Sequence, residues 1–378
     1  MLKKNYYINF LLTLVLCLSL LSPFSVASAS ELEVGKERVS GVSWTQSVEV
    51  DFPLALHFNL SAESVFDITD VRLHYTVDQE SHAEVTSEVY VEFAPGTTID
   101  VQWTWDMRKT GGLPPGAGLE CWWTVEDING DKIETAPLKV HFDDNRYSWR
   151  SLTEDNVTIY WYEGDSAFGG EIMRAAQQAL ARLEGKTGAY LKEPVKIFVY
   201  ADSRDLQDAM VFPQEWTGGV AFTRYGVIAI GISPKNLSWG RGAIAHELTH
   251  LVIHQMIFNP YSGLPTWLDE GLAMSSEESI SPVFGTSLVK AIAADNLISV
   301  RSLSSPFSAY AEESYLSYAQ SYSLVDFLIT GYGQSKMLEL LNTFSEGSSY
   351  DAALEKVYGF DMDVLDILWR EYVAGLYQ

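Results

Sequence analysis

Residues 243–253 read AIAHELTHLVI. The segment holds neither proline nor glycine, so we predict a helix. Residues four apart on a helix lie about 40° apart around its axis. His246 and His250 therefore project from one face, one turn apart, as two imidazole ligands of one Zn²⁺ must. Glu247 follows His246 and can reach a water on such an ion without binding the ion itself. The alternative interpretation is a pair of hydrogen-bonded histidines in a protein core.

A second informative stretch, LPTWLDEGLA, occupies residues 264–273. Pro265 and Thr266 mark the start of another helix, and Thr266 with Asp269 forms a T-x-x-D capping pair. Glu270 then lies in the first turn, where it can complete a His₂Glu site with one open coordination position. For Asp269 we prefer capping to a metal role. For Glu270 the alternative is stabilisation of the helix N-terminus by its charge.

Upstream of these helices the sequence is rich in strands. Residues 30–145 contain about seven short apolar or alternating runs separated by turns, which predicts an all-β sandwich of immunoglobulin-like size. Asn129 and Gly130 stand between two such runs and predict a hairpin with a type I′ turn. The polar segment 143–146 marks the end of this domain, and helical periodicity dominates from Trp239 onward. Strands first and helices after indicate an α+β fold.

The first 29 residues predict a secretory signal peptide. Lys3 and Lys4 supply the positive charge, residues 10–21 are almost wholly apolar, and residues 27–29 (Ala-Ser-Ala) form a small-residue cleavage site. The alternative is an uncleaved anchor. No second long apolar run follows, so we expect no membrane span in the mature chain and a secreted, extracellular or cell-envelope location.

The charge of the chain excludes one class of partner. Among 378 residues, 50 are acidic and 25 are basic, which gives a formal net charge of −25. Such a chain repels a phosphate backbone, and no basic cluster offsets that repulsion, so we do not expect a nucleic-acid partner. Hydrophobic residues make up 47% of the chain, enough for a sizeable core.

The motifs resemble those of a known family. Residues 246–250 (HELTH), 267–273 (WLDEGLA) and 318–325 (YAQSYSLV) are similar to the gluzincin zinc metallopeptidases, and most of all to the peptidase MA family. The resemblance covers roughly residues 150–378. It implies that residues 146–378 form a gluzincin-like metallopeptidase domain with a mixed sheet and a helical C-terminal half.

The resemblance also implies roles for particular residues. His246, His250 and Glu270 would bind one zinc ion, and Glu247 would be the general base. Related aminopeptidases offer a tyrosine hydroxyl to the tetrahedral oxyanion from a helix similar to the third segment. Tyr318 takes that position in this alignment.

Tyr322, one turn further along, is the reserve candidate for the oxyanion donor, and packing is the alternative interpretation for both tyrosines. Thermolysin-like enzymes place an aspartate where this chain has Met274, so the partner that orients a histidine must come from elsewhere. We expect His254 to be such a partner or a packing residue rather than a ligand. Residues 217–221 occupy the place of the aminopeptidase segment that binds the substrate's amino terminus, but they contain no carboxylate.

These features together predict a secreted zinc-dependent metallopeptidase that hydrolyses peptide bonds in peptides or proteins, with a zinc-activated water and a glutamate base. An endopeptidase is favoured over an aminopeptidase, and the strand at 217–221 suits pairing with an extended peptide. Two alternatives stay open. One is a non-catalytic secreted binding protein with a degenerate or structural metal domain, and the other is a hydrolase of a non-peptide amide.

Overall fold

The computed structural model describes residues 30–39, 41–214, 217–261, 263–277, 281–308 and 310–376. The predicted signal peptide, residues 1–29, lies outside these ranges. Within them, no helix combines the length and apolar character needed to cross a bilayer.

The N-terminal part is a β structure organised around one long strand. In the described residues its strands are β1 (Ser30–Val39), β2 (Val42–Asp51), β3 (Ala55–Val77), β4 (Thr86–Tyr90), β5 (Gly96–Asp106), β6 (Ala117–Asp127), β7 (Lys132–Glu134) and β8 (Leu138–Phe142). The first half of β3 pairs with β2 and β5, and its second half pairs with β4 and β6. A register shift between Glu63 and Ile68 separates the two halves, which share one apolar core. The expected all-β region is confirmed, while its immunoglobulin-like arrangement and its boundary at residue 145 stay predictions.

The hairpin between β6 and β7 forms with a different turn from the one expected. Gly130 has a φ of +83°, but Asn129 does not share the left-handed conformation that a type I′ turn requires of both central residues. Asp127 explains the difference, because its side chain accepts hydrogen bonds from the backbone amides of Asn129 and Asp131 at 2.8 and 3.1 Å. These bonds stabilise a wider loop with a single left-handed glycine.

A second sheet follows, with the mixed topology that was expected. Its strands are β9 (Arg150–Glu154), β10 (Val157–Trp161), β11 (Val195–Tyr200), β12 (Gly219–Phe222) and β13 (Val227–Gly231). Their order is β12-β13-β11-β10-β9, in which β10, β11 and β13 run parallel while β9 and β12 are antiparallel edge strands. The edge strand β12 is the one that borders the candidate site.

Helices cover this sheet and build the C-terminal half. They are α1 (Ser166–Thr187), α2 (Ser203–Gln207), α3 (Leu237–Ile257), α4 (Thr266–Ser276), α5 (Pro282–Ala293), α6 (Ala311–Tyr332), α7 (Gln334–Ser345), α8 (Tyr350–Tyr358) and α9 (Met362–Leu376). Short 3₁₀ turns occur at Met107–Lys109, Thr223–Tyr225 and Ser302–Ser304. Helix α1 begins where the Asp165 side chain accepts the Phe168 amide and ends at Gly188, whose φ is +77°. Helices α1 and α3 pack their apolar faces on the sheet, which places α3 beside β12.

Helix α4 crosses α6 at very short range, and a glycine permits this. A Cβ atom at Gly271 would lie 2.6 Å from Cγ2 of Val325 and nearer still to the backbone carbonyl of Ser321. Any larger residue would therefore separate the two helices. The close crossing brings the N-terminal half of α6 towards the N-terminal half of α4, which carries Glu270.

The N-terminal part also contacts the helical region. The backbone amide of Glu80, between β3 and β4, donates to the carbonyl of Arg224 at 2.7 Å. The ring of His82 stacks on Phe258, just after α3, with centroids 4.0 Å apart. These contacts place the 78–82 loop beside the C-terminal end of α3.

Candidate metal centre and cleft

Three side chains converge between α3 and α4. His246 and His250 lie one turn apart on α3, as the spacing predicts, and Glu270 lies in the first turns of α4. The Oε2 atom of Glu270 is 3.3 Å from Nε2 of His246 and 3.7 Å from Nε2 of His250. All three side chains are largely buried, with 13–20% of their surface exposed.

The outer ring nitrogens of the two histidines are held by carboxylates. Nδ1 of His246 lies 3.0 Å from Oε1 of Glu277, and Nδ1 of His250 lies 3.0 Å from Oδ1 of Asp269. An ionised carboxylate only accepts hydrogen bonds, so each Nδ1 carries the proton and donates it. In the neutral imidazoles, both Nε2 atoms then present lone pairs towards Glu270.

This arrangement fits a divalent cation. Oε2 of Glu270 is buried and has no hydrogen-bond partner within the described structure. When both rings are neutral, two nitrogen lone pairs and a carboxylate oxygen face one another, which is unfavourable unless a proton or a divalent cation lies among them. Tetrahedral zinc with bonds of about 2.0–2.1 Å separates its ligand atoms by roughly 3.3 Å, close to the two distances above. The three residues predicted as ligands are therefore brought together, and two nitrogens plus one oxygen are a donor set that zinc prefers.

The expected capping role of Asp269 is wrong. Helix α4 is preceded by Pro265 and has no side-chain cap, and the Thr266 hydroxyl donates instead to the carbonyl of Ser304. Asp269 turns towards α3, where Oδ1 accepts from His250 and Oδ2 accepts from Nε2 of His254 at 3.0 Å. A capping side chain and an orienting side chain have the same sequence signature, and only the packing of α4 on α3 separates them.

Glu277 is the residue that sequence reasoning missed. With Asp269 it supplies the orienting carboxylates that Met274 cannot. A signal was available, because Glu277 follows Glu270 by seven residues, and a helix extended to that position would place the two on nearly the same face. It immediately follows the last helical residue of α4, where the chain leaves the helix.

Electrostatics keep Asp269 ionised. Burial disfavours its charge, but the charges and hydrogen bonds of His250 and His254 outweigh that penalty and hold the pKa of Asp269 far below its usual range. Burial likewise disfavours the His250 cation, yet Asp269 and then Glu270 raise the pKa of His250 to about 9. The hydrogen bond between them thus stabilises both the Asp269 anion and the protonated ring of His250.

Glu247 lies beside the ligands, next to the edge strand. A Cβ atom at Gly219 in β12 would lie 2.9 Å from its Oε1 atom, so glycine leaves the room that this carboxylate occupies. Burial raises the pKa of Glu247, while His246 and His250 oppose the rise. A partly buried carboxylate of raised pKa beside a metal-ligand cluster is suited to taking up and returning a proton.

The two tyrosines of α6 are placed differently. Tyr318 lines the cleft above the ligands, whereas Tyr322 is not among the described residues that line it. Burial raises the pKa of Tyr318, and the negative charges of Glu270 and Glu247 raise it further. The phenol is thus kept protonated, as a hydrogen-bond donor must be. The assignment of an oxyanion donor stays a prediction, and the placement favours Tyr318.

The site opens into a cleft of about 1270 Å³. Strand β12 borders one side, and α3, α5 and α6 border the others. Among the described residues that line the cleft there is no lysine or arginine, and its charged groups are the four carboxylates of Glu247, Asp269, Glu270 and Glu277. The predicted β12 strand is confirmed at this position, with an edge available to an extended chain.

Known proteins similar to this chain include metallopeptidases. The profile of the peptidase MA superfamily matches residues 175–375, whereas no curated protein matches. A solved M1 zinc metallopeptidase from Deinococcus radiodurans is 14% identical with a TM-score of 0.34, and the alignment covers 85% of this chain and 90% of that one. Legionella pneumophila aminopeptidase A in complex with aspartic acid is 10% identical with a TM-score of 0.38, covering 90% and 50%.

A further similarity is to a solved β-1,3-glucan binding domain of carbohydrate-binding module family 56. The two are 21% identical with a TM-score of 0.17, over 26% of this chain and 96% of that one. The superfamily profile, in contrast, spans more than half of the chain and includes both helices that carry the three converging ligands. The chain therefore belongs to the peptidase MA superfamily, as the resemblance of its motifs predicted.

Proposed function

We propose that the chain is a secreted metallopeptidase that uses one zinc ion to hydrolyse peptide bonds in peptide or protein substrates. The observation that carries this proposal is the convergence of Nε2 of His246, Nε2 of His250 and Oε2 of Glu270 in a cleft, with both outer nitrogens held by carboxylates. The charge pattern and apolar stretch of residues 1–29 support the secretory part of the proposal.

Zinc, when bound, would polarise the scissile carbonyl and acidify a water molecule. The residues of the chain supply the proton transfers. The Glu247 carboxylate takes a proton from the attacking water and then delivers it to the leaving amine. Its place one residue from His246, with room provided by Gly219, holds it beside the ligands without making it a ligand.

Tyr318 is the proposed donor to the oxyanion of the tetrahedral intermediate. Its hydroxyl belongs to a largely buried side chain whose pKa is raised by burial and by Glu270 and Glu247, so it enters the reaction protonated. A hydrogen bond that forms only as negative charge develops stabilises the transition state more than the ground state.

Strand β12 is proposed to bind the substrate backbone by strand addition. An internal peptide bond suits this cleft better than an amino-terminal one, because the lining carboxylates already have partners or roles. Asp269 and Glu277 accept hydrogen bonds from the histidines, while Glu247 and Glu270 belong to the proposed catalytic centre. Within the described residues, no carboxylate of the cleft is left for a substrate ammonium group. We therefore favour an endopeptidase.

The test is digestion of a mixed peptide pool, in which half of the peptides are N-terminally acetylated, with and without a chelator. We expect cleavage of acetylated and free peptides alike, its loss with the chelator and its recovery on adding zinc. Glu247→Gln should keep the metal and lose about 10²-fold to 10⁴-fold in rate. Glu355→Gln, an exposed change on α8, is the matched control.

Two results would contradict the peptidase mechanism, and a third would contradict the endopeptidase assignment. A chain that binds zinc but cleaves no peptide, or a Glu247→Gln variant with full activity, would remove the peptidase mechanism. Cleavage restricted to peptides with a free amino terminus would replace the endopeptidase with an aminopeptidase.

A further inference from the structure

Asp269 bridges two histidines of α3. Its Oδ1 atom lies 3.0 Å from Nδ1 of His250, and its Oδ2 atom lies 3.0 Å from Nε2 of His254. His250 and His254 are four residues apart, so they share a face of the helix. The Asp269 carboxylate thus spans one full turn of α3.

The chemistry of the bridge determines where the protons lie. The Asp269 carboxylate accepts from both rings, so Nδ1 of His250 and Nε2 of His254 are both donors. With Nδ1 protonated, His250 directs the lone pair of its Nε2 towards Glu270. A carboxylate held at only one oxygen can rotate about its terminal bond, whereas one held at both oxygens by two rings on the same helix has a fixed plane.

His254 occupies a different environment from the ligands. Its side chain is 34% exposed, compared with 13% for His250. It lines the active-site cleft and also a second cavity of about 350 Å³, which Glu80 of the N-terminal region lines as well. His254 therefore stands between the metal-ligand cluster and the region where the 78–82 loop meets α3.

We propose that His254 is a positioning residue for the metal centre. By donating to Asp269 it fixes the carboxylate that orients His250, although it is not one of the three proposed zinc ligands. This inference rests on the proposed zinc site and names a further residue on which its affinity depends. Residues that orient metal ligands typically contribute about 10-fold to 100-fold to metal affinity.

The test measures zinc affinity by competition with a chromophoric chelator on the full chain, together with zinc content. His254→Leu removes the donor and should weaken zinc binding about 10-fold or more. His254→Gln places an amide donor near the former Nε2 atom and should restore most of the affinity. His141→Leu, an exposed change on β8, is the control for loss of a histidine.

A double-mutant cycle distinguishes positioning from a general structural effect. If His254 acts through Asp269, then His254→Leu should have little further effect on affinity in an Asp269→Ala background. Equal losses in both backgrounds, or a His254→Gln variant as weak as His254→Leu, would overturn the inference. Circular dichroism of each variant checks that the fold is retained.

Zinc content separates this inference from the proposed function. One ion per chain in the wild type with unchanged affinity in His254→Leu would overturn only the positioning role. Two ions in the wild type and one in His254→Leu would make His254 a ligand of a second ion instead. A wild-type chain that binds no zinc would overturn the proposed function and this inference with it.

Discussion

Replacement of Gly271 by alanine tests whether the α4–α6 crossing organises the site. The glycine is buried where α4 meets α6, and its position leaves no room for a methyl group. The added Cβ would lie 2.6 Å from Cγ2 of Val325 and would overlap the Ser321 carbonyl. Because that carbonyl belongs to the α6 backbone, the overlap is relieved only by separating the helices.

The magnitude follows from two opposing terms. Alanine is favoured over glycine in a helix interior by about 1 kcal/mol, while overpacking of this kind costs about 1–3 kcal/mol. Gly185→Ala changes an exposed site in α1 where nothing lies within 4 Å of the new Cβ. This variant therefore measures the helix preference for alanine without any overpacking. We therefore expect Gly185→Ala to raise the free energy of unfolding above that of the wild type by about 1 kcal/mol. The free energy of unfolding of Gly271→Ala should be about 1–3 kcal/mol lower than that of this control.

Urea unfolding followed by circular dichroism measures this difference, and peptide cleavage measures its effect on the site. Ser321 lies about one turn beyond Tyr318, so a shift of α6 moves the Tyr318 hydroxyl away from Glu270. A displacement of about 1 Å can reduce the rate about 100-fold. A Gly271→Ala variant that is as stable and as active as Gly185→Ala would show that the close crossing of α4 and α6 does not organise the site.

Three further changes test separate parts of the structure. Glu277→Ala removes the acceptor of Nδ1 of His246, so the zinc dissociation constant should rise about 10-fold to 100-fold in chelator competition; an unchanged constant would count against an orienting role. Tyr318→Phe should lower kcat about 10²-fold to 10³-fold without changing zinc affinity. Tyr322→Phe should leave kcat nearly unchanged, and equal losses of kcat in the two variants would disprove the assignment of the donor. Asp165→Ala removes the cap of α1 and should lower the free energy of unfolding by about 1 kcal/mol in urea titration, and no change would show that the cap contributes nothing.

Local patterns predicted what depends on neighbours in the chain. The spacing of His246 and His250 on one helix face follows from helix geometry alone. The α+β order of elements also follows from the sequence, because it rests on short-range periodicity. The same periodicity predicts only short strands in the N-terminal part, yet β3 is 23 residues long. Strands β2 and β5 pair with its first half and β4 and β6 with its second half, and the register shift between the halves has no signal in the local sequence.

The contacts that the ligands make with residues of other helices could not be predicted from local sequence patterns. The local sequence favours a capping role for Asp269, but its partners, His250 and His254, lie on another helix. The preference for Tyr318 over Tyr322 likewise depends on how α6 crosses α4.

The order of residues is enough to specify the helix that presents two imidazoles and a neighbouring carboxylate on one side, since the rise and twist of an α-helix place residues four apart in register. The packing of the helices against one another selects which carboxylates hold those imidazoles and which tyrosine faces them. These choices depend on the distance and angle between α3, α4 and α6. Close packing at Gly271, with partners 50 residues away in the chain, sets the α4–α6 part of that geometry.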